Sequence, residues 1–205
     1  MKKKTILVAA IAVMLVAALV VGGTLAYFTD TKTADNTFTM GNVAITLDET
    51  NVAEDAPTGS RVDGNTYNVY PGQTVTKDPI VHNTGRNAAY IRATVTVSNW
   101  ATLSKELYPN VALADTLKEL VGSFGEGWSV VGAAADKSGA VTFTLKYDRQ
   151  LAASADTAPM FQQVTVPAGL ENENASSFKT MTVQAQAIQA DGFNTWDAAF
   201  AAFDK

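Results

Sequence analysis

The segment Ala89 to Val97 constrains the fold more than any other stretch. Ala89, Ile91, Ala93, Val95 and Val97 take one parity, and Tyr90, Arg92, Thr94 and Thr96 take the other. Successive side chains of an extended chain point to opposite faces, so this alternation describes a strand with one apolar face and one wet face. Val141, Phe143, Leu145 and Tyr147 alternate with Thr142, Thr144 and Lys146 in the same way. Both read as antiparallel strands whose apolar faces need a second layer to cover them.

Further strands are expected at Val43, Ile45 and Leu47, at Tyr67 to Tyr70, at Val75 to His82, at Phe161 to Val166 and at Phe178 to Gln189. Pro71-Gly72 suits a turn because proline presets one torsion and glycine accepts the positive one, and Asn83-Thr84-Gly85 marks another. Many strands at short spacing point to an all-β, antiparallel β-sandwich. One or two short helices are expected beside it. Val111 to Phe124 sets Val111, Leu113, Leu117, Leu120 and Val121 near helical spacing, with Gly122 placed to end the element. Thr195 to Phe203 puts Trp196, Ala199, Phe200 and Phe203 on one stripe behind Thr195 as cap, a cover over one end of the sandwich. Glu49 to Gly64 and Leu151 to Pro159 read as surface loops.

The N-terminus has a different character. Lys2, Lys3 and Lys4 precede an unbroken apolar run from Ile6 to Val21, followed by Gly22, Gly23, Thr24, Leu25 and Ala26. A basic start, a greasy run and small residues behind it make a helical secretory signal peptide, too short for a spanning helix unless residues beyond the glycines join it. Thr24 and Ala26 hold the small-residue positions, so cleavage is expected to release a chain beginning at Tyr27, or at Phe28 if the cut falls one residue later. Removal of the three lysines leaves 12 basic against 20 acidic residues, a net charge of −8 in place of −5. An acidic sum offers no attraction to a phosphate backbone, so no nucleic-acid partner is expected. With no cysteine, the chain has no disulfide, no thiolate zinc site and no lipidated cysteine. The expected destination is extracellular, in the matrix or at the cell surface, with the membrane touched only before processing.

Catalytic motifs are scarce. His82 is the only histidine, which excludes the two-histidine helix motif of zinc peptidases, and no Gly-x-Ser-x-Gly elbow accompanies it. The order of Gly122, Gly125 and Gly127 is not that of a nucleotide loop, and they read as a turn. Asp48-Glu49 and Glu54-Asp55 lack the spacing of a calcium loop. No catalytic residue, cofactor or metal is therefore assigned. Asn174-Ala175-Ser176 has the form of a glycan acceptor. Trp100, Trp128 and Trp196 would be the stacking platforms of a monomeric adhesion or carbohydrate-binding module.

Three strings resemble a known family. GGTLAYFTDTKTADNTFTMGNVAITLDE, VYPGQTVTKDPIVHNTGRNAAYIRATVTV and VQAQAIQADGFNTWDAAFAAF, touching residues 20 to 48, 69 to 97 and 181 to 203, are similar to the TasA and camelysin (CalY) family. The resemblance implies a jelly-roll sandwich secreted by Gram-positive bacteria, a SipW-type signal peptidase as processing partner, and assembly of copies of the chain into biofilm matrix fibres, with room for an accessory matrix protein. It also implies, as the alternative function, a secreted camelysin-like metallopeptidase, which conflicts with the single histidine. Residues 1–26 are then the signal peptide, 27–41 a candidate donor strand and 42–205 the sandwich with its C-terminal helix. In the donor segment Phe28, Phe38 and Met40 stand among Thr29, Thr31, Thr33, Thr37 and Thr39, types suited to a pleated surface. A liberated arm of this kind can complete an open sheet edge on another molecule.

Overall fold

The computed structural model describes residues 42–170 and 178–205. Nine strands lie among them: β1 (Ile45–Thr50), β2 (Arg61–Val62), β3 (Thr74–Thr76), β4 (Ile80–Asn83), β5 (Ala89–Val97), β6 (Trp128–Ala135), β7 (Val141–Tyr147), β8 (Gln163–Thr165) and β9 (Met181–Gln189). They form antiparallel sheets in the orders β2-β1-β4, β3-β8 and β6-β7-β5-β9. Helices α1 (Trp100–Leu107), α2 (Thr116–Val121) and α3 (Trp196–Phe203) are short, and a single 3-10 turn spans Leu113–Asp115. The all-β, sandwich-like class expected from the alternation is the one observed.

β5 organises the core. Its odd-numbered side chains, Ala89 to Val97, are all fully buried. In register with them, Val97 faces Val141, Val95 faces Phe143 and Ala93 faces Leu145 on β7, while Met181, Val183, Ala185 and Ala187 of β9 flank the other side. Val43, Ile45, Leu47 and Val81 close the same core from the β1–β4 sheet. On the outer face α3 begins at Thr195, whose hydroxyl accepts the Ala198 N–H at 3.1 Å, as the capping pattern predicts. Trp196 Nε1 donates to the Ile91 carbonyl at 2.7 Å, and Arg92 lies over the Phe200 ring while its guanidinium grips Asp204 at 2.6 and 2.7 Å. Tyr90, on the wet parity, is buried as a result. The helix covers the outer face at the Tyr90 end of β5.

Several elements depart from the periodicity reading. Tyr67 to Tyr70 form no strand: Gln73 N–H donates to the Tyr70 carbonyl in a turn, and the Tyr67 hydroxyl donates to the Thr76 carbonyl at 2.8 Å. Val75 to His82 is broken at Lys77-Asp78-Pro79, and its halves join different sheets, β3 with β8 and β4 with β1. Pro79 has no N–H to give a ladder, and Asp78 is drawn off by Thr50 and Arg61. The expected helix at Val111 to Phe124 shrinks to the 3-10 turn and α2, which ends on Gly122 at φ 74°. The loop Glu49 to Gly64 holds the end of β1 and all of β2. Strand β6 and helix α1 lie where neither period was clear. Gly125 belongs to a packed turn: its N–H donates to the Met160 carbonyl at 3.0 Å, and a Cβ there would stand 1.9 Å from the Pro159 oxygen. Gly125→Ala should therefore lower stability by about 2 kcal/mol or more, read as a fall in the urea midpoint at unchanged slope.

The exposed side of β4 is sealed by the segment 151–160. Asn83 N–H donates to the Ala155 carbonyl, Thr157 N–H to Val81 and Met160 N–H to Pro79, each at 2.9 Å. His82 pins the same segment: Nδ1 lies 2.7 Å from Asp156 Oδ1, and Nε2 lies 3.1 Å from Asp48 Oδ1. Asp48 also binds Arg61 Nε, and Arg61 Nη1 reaches Asp78 at 3.1 Å, so β1, β2, β4 and the seal share one charge network. Burial alone would push the His82 imidazole down, but its hydrogen bonds to Asp48 and Asp156 and their charges outweigh this and raise it above its ordinary value. Asp48 and Asp78 are shifted the other way, burial being outweighed by bonds from Arg61 and His82 to the first and from Thr50 and Arg61 to the second. A raised imidazole contributes stability that is complete below the unfolded value of about 6.5 and is lost as pH rises through the folded value. The urea midpoint should accordingly fall as pH rises above the ordinary imidazole value of about 6.5, and His82→Gln should flatten that slope while costing about 1 kcal/mol at the acidic end.

Candidate functional site

A sheet edge exposes unsatisfied N–H and C=O groups, so each edge among the described residues needs a partner, a cover or water. The β4 edge is sealed by 151–160. β2 and β8 have two and three residues, too short to offer a ladder. β6 is interrupted by an irregularity between Val130 and Gly132 and has the 3-10 turn beside it. β9 differs: it is nine residues long, pairs without a break to β5 from Met181↔Val97 to Gln189↔Ala89, and has no partner on its other side among the described residues.

Two adjoining hollows run beside the N-terminal half of this strand. The larger, about 420 Å³, is lined by Tyr67, Val75, Val164, Phe178, Lys179 and others, and the smaller, about 200 Å³, by Leu47, Glu49, Asp63, Pro79 and Val183. Asn65, Lys77, Met181 and Thr182 border both, which makes one trough. Its walls mix apolar and polar side chains around a buried polar seam. Lys77 Nζ donates to Glu49 Oε2 at 2.6 Å, the Asn65 backbone and side-chain amides both donate to Glu49 Oε1 at 3.0 Å, and the Glu49 side chain is 4% exposed. Lys77 also sits 5.9 Å from the Tyr67 ring centre. Burial and the neighbouring Glu49 carboxylate push the Tyr67 phenol up to about 12, so it stays a hydrogen-bond donor at any physiological pH. Glu49 is fully satisfied, whereas Lys77 has three N–H groups and one acceptor, Glu49, among the described residues.

The sequence motifs meet this geometry unevenly. Thr24, Ala26 and Tyr27 at the expected cleavage site, and Phe28, Phe38 and Met40 of the expected donor segment, lie outside the described residues, as does Asn174. The three tryptophans are buried and bonded through Nε1, Trp100 to Thr116, Trp128 to Ala158 and Trp196 to Ile91, so none is a platform for stacking a sugar. Of the acid pairs, Asp48 and Glu49 are absorbed by Arg61 and Lys77, while Glu54 and Asp55 are exposed. Sequence reasoning passed over Lys77 and Asn65. The available signal was a lysine inside an apolar alternation, two residues before the proline that ends it.

A family model described as Camelysin metallo-endopeptidase matches residues 1–98. No curated protein matches the chain. The metal implied by that description does not fit the described residues: both ring nitrogens of His82 are turned to separate carboxylates, and no three His, Asp or Glu side chains among those residues converge on one point. No helix among them is long and apolar enough to cross a membrane. The matched region carries β1 to β5, including the central strand, and over residues 1–98 the chain is similar to the camelysin family.

Proposed function

We propose that the chain is a secreted structural protein of the extracellular, biofilm-type matrix that builds fibres head to tail. In this reading a SipW-type signal peptidase removes residues 1–26, and the segment beginning at Tyr27 adds as a strand to a neighbouring copy. The observation that carries the reading is the unbroken, unpartnered edge of β9 beside its trough. An extended peptide laid on such an edge gains a ladder of main-chain hydrogen bonds, and hollows along the edge receive alternate side chains. Length is sufficient: at about 3.3 Å per residue, Tyr27 to Met40 reaches about 45 Å, against about 30 Å for β9. Donor segment and acceptor edge are different surfaces, so the contact is heterologous and propagates without closing.

Deleting Tyr27 to Thr39 from the processed chain should abolish filaments in negative-stain electron microscopy and leave a folded monomer with an unchanged urea midpoint. Unchanged filaments would remove the arm from the mechanism. A precursor blocked at the cleavage site should stay unpolymerised. The family description favours a second reading, a secreted metallopeptidase. Chelator-sensitive casein degradation by the purified protein, lost in His82→Ala, would decide for it.

A further inference from the structure

The trough is electrically polarised along β9. At the Phe178–Thr182 end the charged lining residues are Lys179 and Lys77, and at the Met181–Val183 end they are Asp48, Glu49, Asp63 and Lys77. Asp48 and Glu49 are already paired, with Arg61 and Lys77. Two charges remain without an ion-pair partner among the described residues: Lys179 beside the larger hollow and Asp63 beside the smaller one. Both are exposed, and Lys77, with one acceptor among the described residues, lies between them. Travelling along β9 from its N-terminus, an incoming chain meets positive charge first and negative charge second.

The arm carries a matching pair. In an extended Tyr27–Met40 segment one parity holds Phe28, Asp30, Lys32, Ala34, Asn36, Phe38 and Met40, the apolar parity, and the other is mostly threonine. Asp30 and Lys32 therefore share the apolar parity, two residues or about 7 Å apart. We infer that the incoming arm of a second copy lies parallel to β9, with Asp30 at the Lys179 hollow and Lys32 at the Asp63 hollow. The opposite direction sets Asp30 against Asp63 and Lys32 against Lys179, two like-charge contacts in place of two attractive ones. Main-chain bonding accepts either direction, so the charges select between them. This inference rests on the strand-addition reading and specifies its polarity.

The chain has no cysteine, so introduced cysteines report without background. Two single-cysteine proteins beginning at Tyr27 are mixed, one with the cysteine in the arm and one with it on β9, and are oxidised and run on non-reducing gels. Docking at these two hollows joins Thr31→Cys to Thr182→Cys in either direction, and only the parallel direction joins Asp35→Cys to Gln186→Cys, because a disulfide needs Cα atoms within about 7 Å. A cross-link of Thr33→Cys with Thr180→Cys in place of Asp35 with Gln186 would overturn the parallel polarity while leaving strand addition intact. Filaments without any of these three cross-links would overturn both. A second measurement uses charge alone. Exchanging the arm charges, Asp30→Lys with Lys32→Asp, should slow filament growth about tenfold at low salt, and adding Lys179→Asp with Asp63→Lys should restore it. Unaltered growth in the first variant would remove the charges as the selector.

Discussion

β5 is hydrogen-bonded along most of its length on both sides, to β7 and to β9, and one whole face of it is fully buried. Everything else is arranged around satisfying or covering what this strand sets in place. Its inner face requires a second layer, which β1 and β4 supply through Ile45, Leu47 and Val81. Its outer face would be wet throughout, but Arg92 recruits Phe200 and Asp204, and α3 closes one end of that face. Loss of register by one residue at β5 would carry Arg92 and Thr94 into the core and Ile91 and Val95 to water. The pairing on both sides makes that slip a global event.

A sandwich that is not closed keeps edges, and this one treats them unequally. The β4 edge is bonded by the backbone of 155–160 and held by a histidine between two carboxylates. The β6 edge is bent by its irregularity, with Val131 turned outward and half exposed. Both devices spoil a ladder for any visiting strand. β9 has neither, and its open side faces a trough with the Glu49–Lys77 pair at its base. An exposed regular edge is an aggregation hazard unless its use is controlled. In the proposed strand addition, proteolytic release of the complementary segment is that control, and β9 has no covering device among the described residues.

The central part of this design was legible in the sequence. Strands β5, β7 and β9 show strict alternation, and Thr195 with Trp196, Ala199 and Phe200 announced α3. Legibility failed where tertiary partners overrode local pattern. Tyr67 to Tyr70 alternates like a strand, but its hydrogen bonds go to a turn and to Thr76. β6 contains Gly132 and three consecutive alanines, whose small side chains give no period, and it is a strand because β7 offers it a ladder. α1 begins at Asn99 in the left-handed region without a capping side chain, and its place is fixed by Trp100 and Leu103 entering the core. The trough was invisible for a related reason. It joins Glu49, Asn65, Lys77 and Lys179, which sit in four separate stretches of chain and share no spacing.

Charge also decides what kind of assembly such a chain can sustain. Freed of residues 1–26 the protein carries −8, so copies repel one another at a distance. At physiological ionic strength that repulsion is damped beyond about 8 Å, and main-chain hydrogen bonds act at about 3 Å. Holding and steering are thus separated. In the proposed strand addition a ladder on β9 would supply cohesion that salt barely touches, while Lys179 and Asp63, exposed at the rim, would act only during approach. Adding salt weakens the general repulsion and the local guidance together, so an acidic chain that assembled in the proposed way would gain encounters and lose directional selectivity as ionic strength rises. Only the segment's fit to the trough, its apolar parity against Val75, Val164 and Phe178, would then keep the proposed mode of addition ahead of the others.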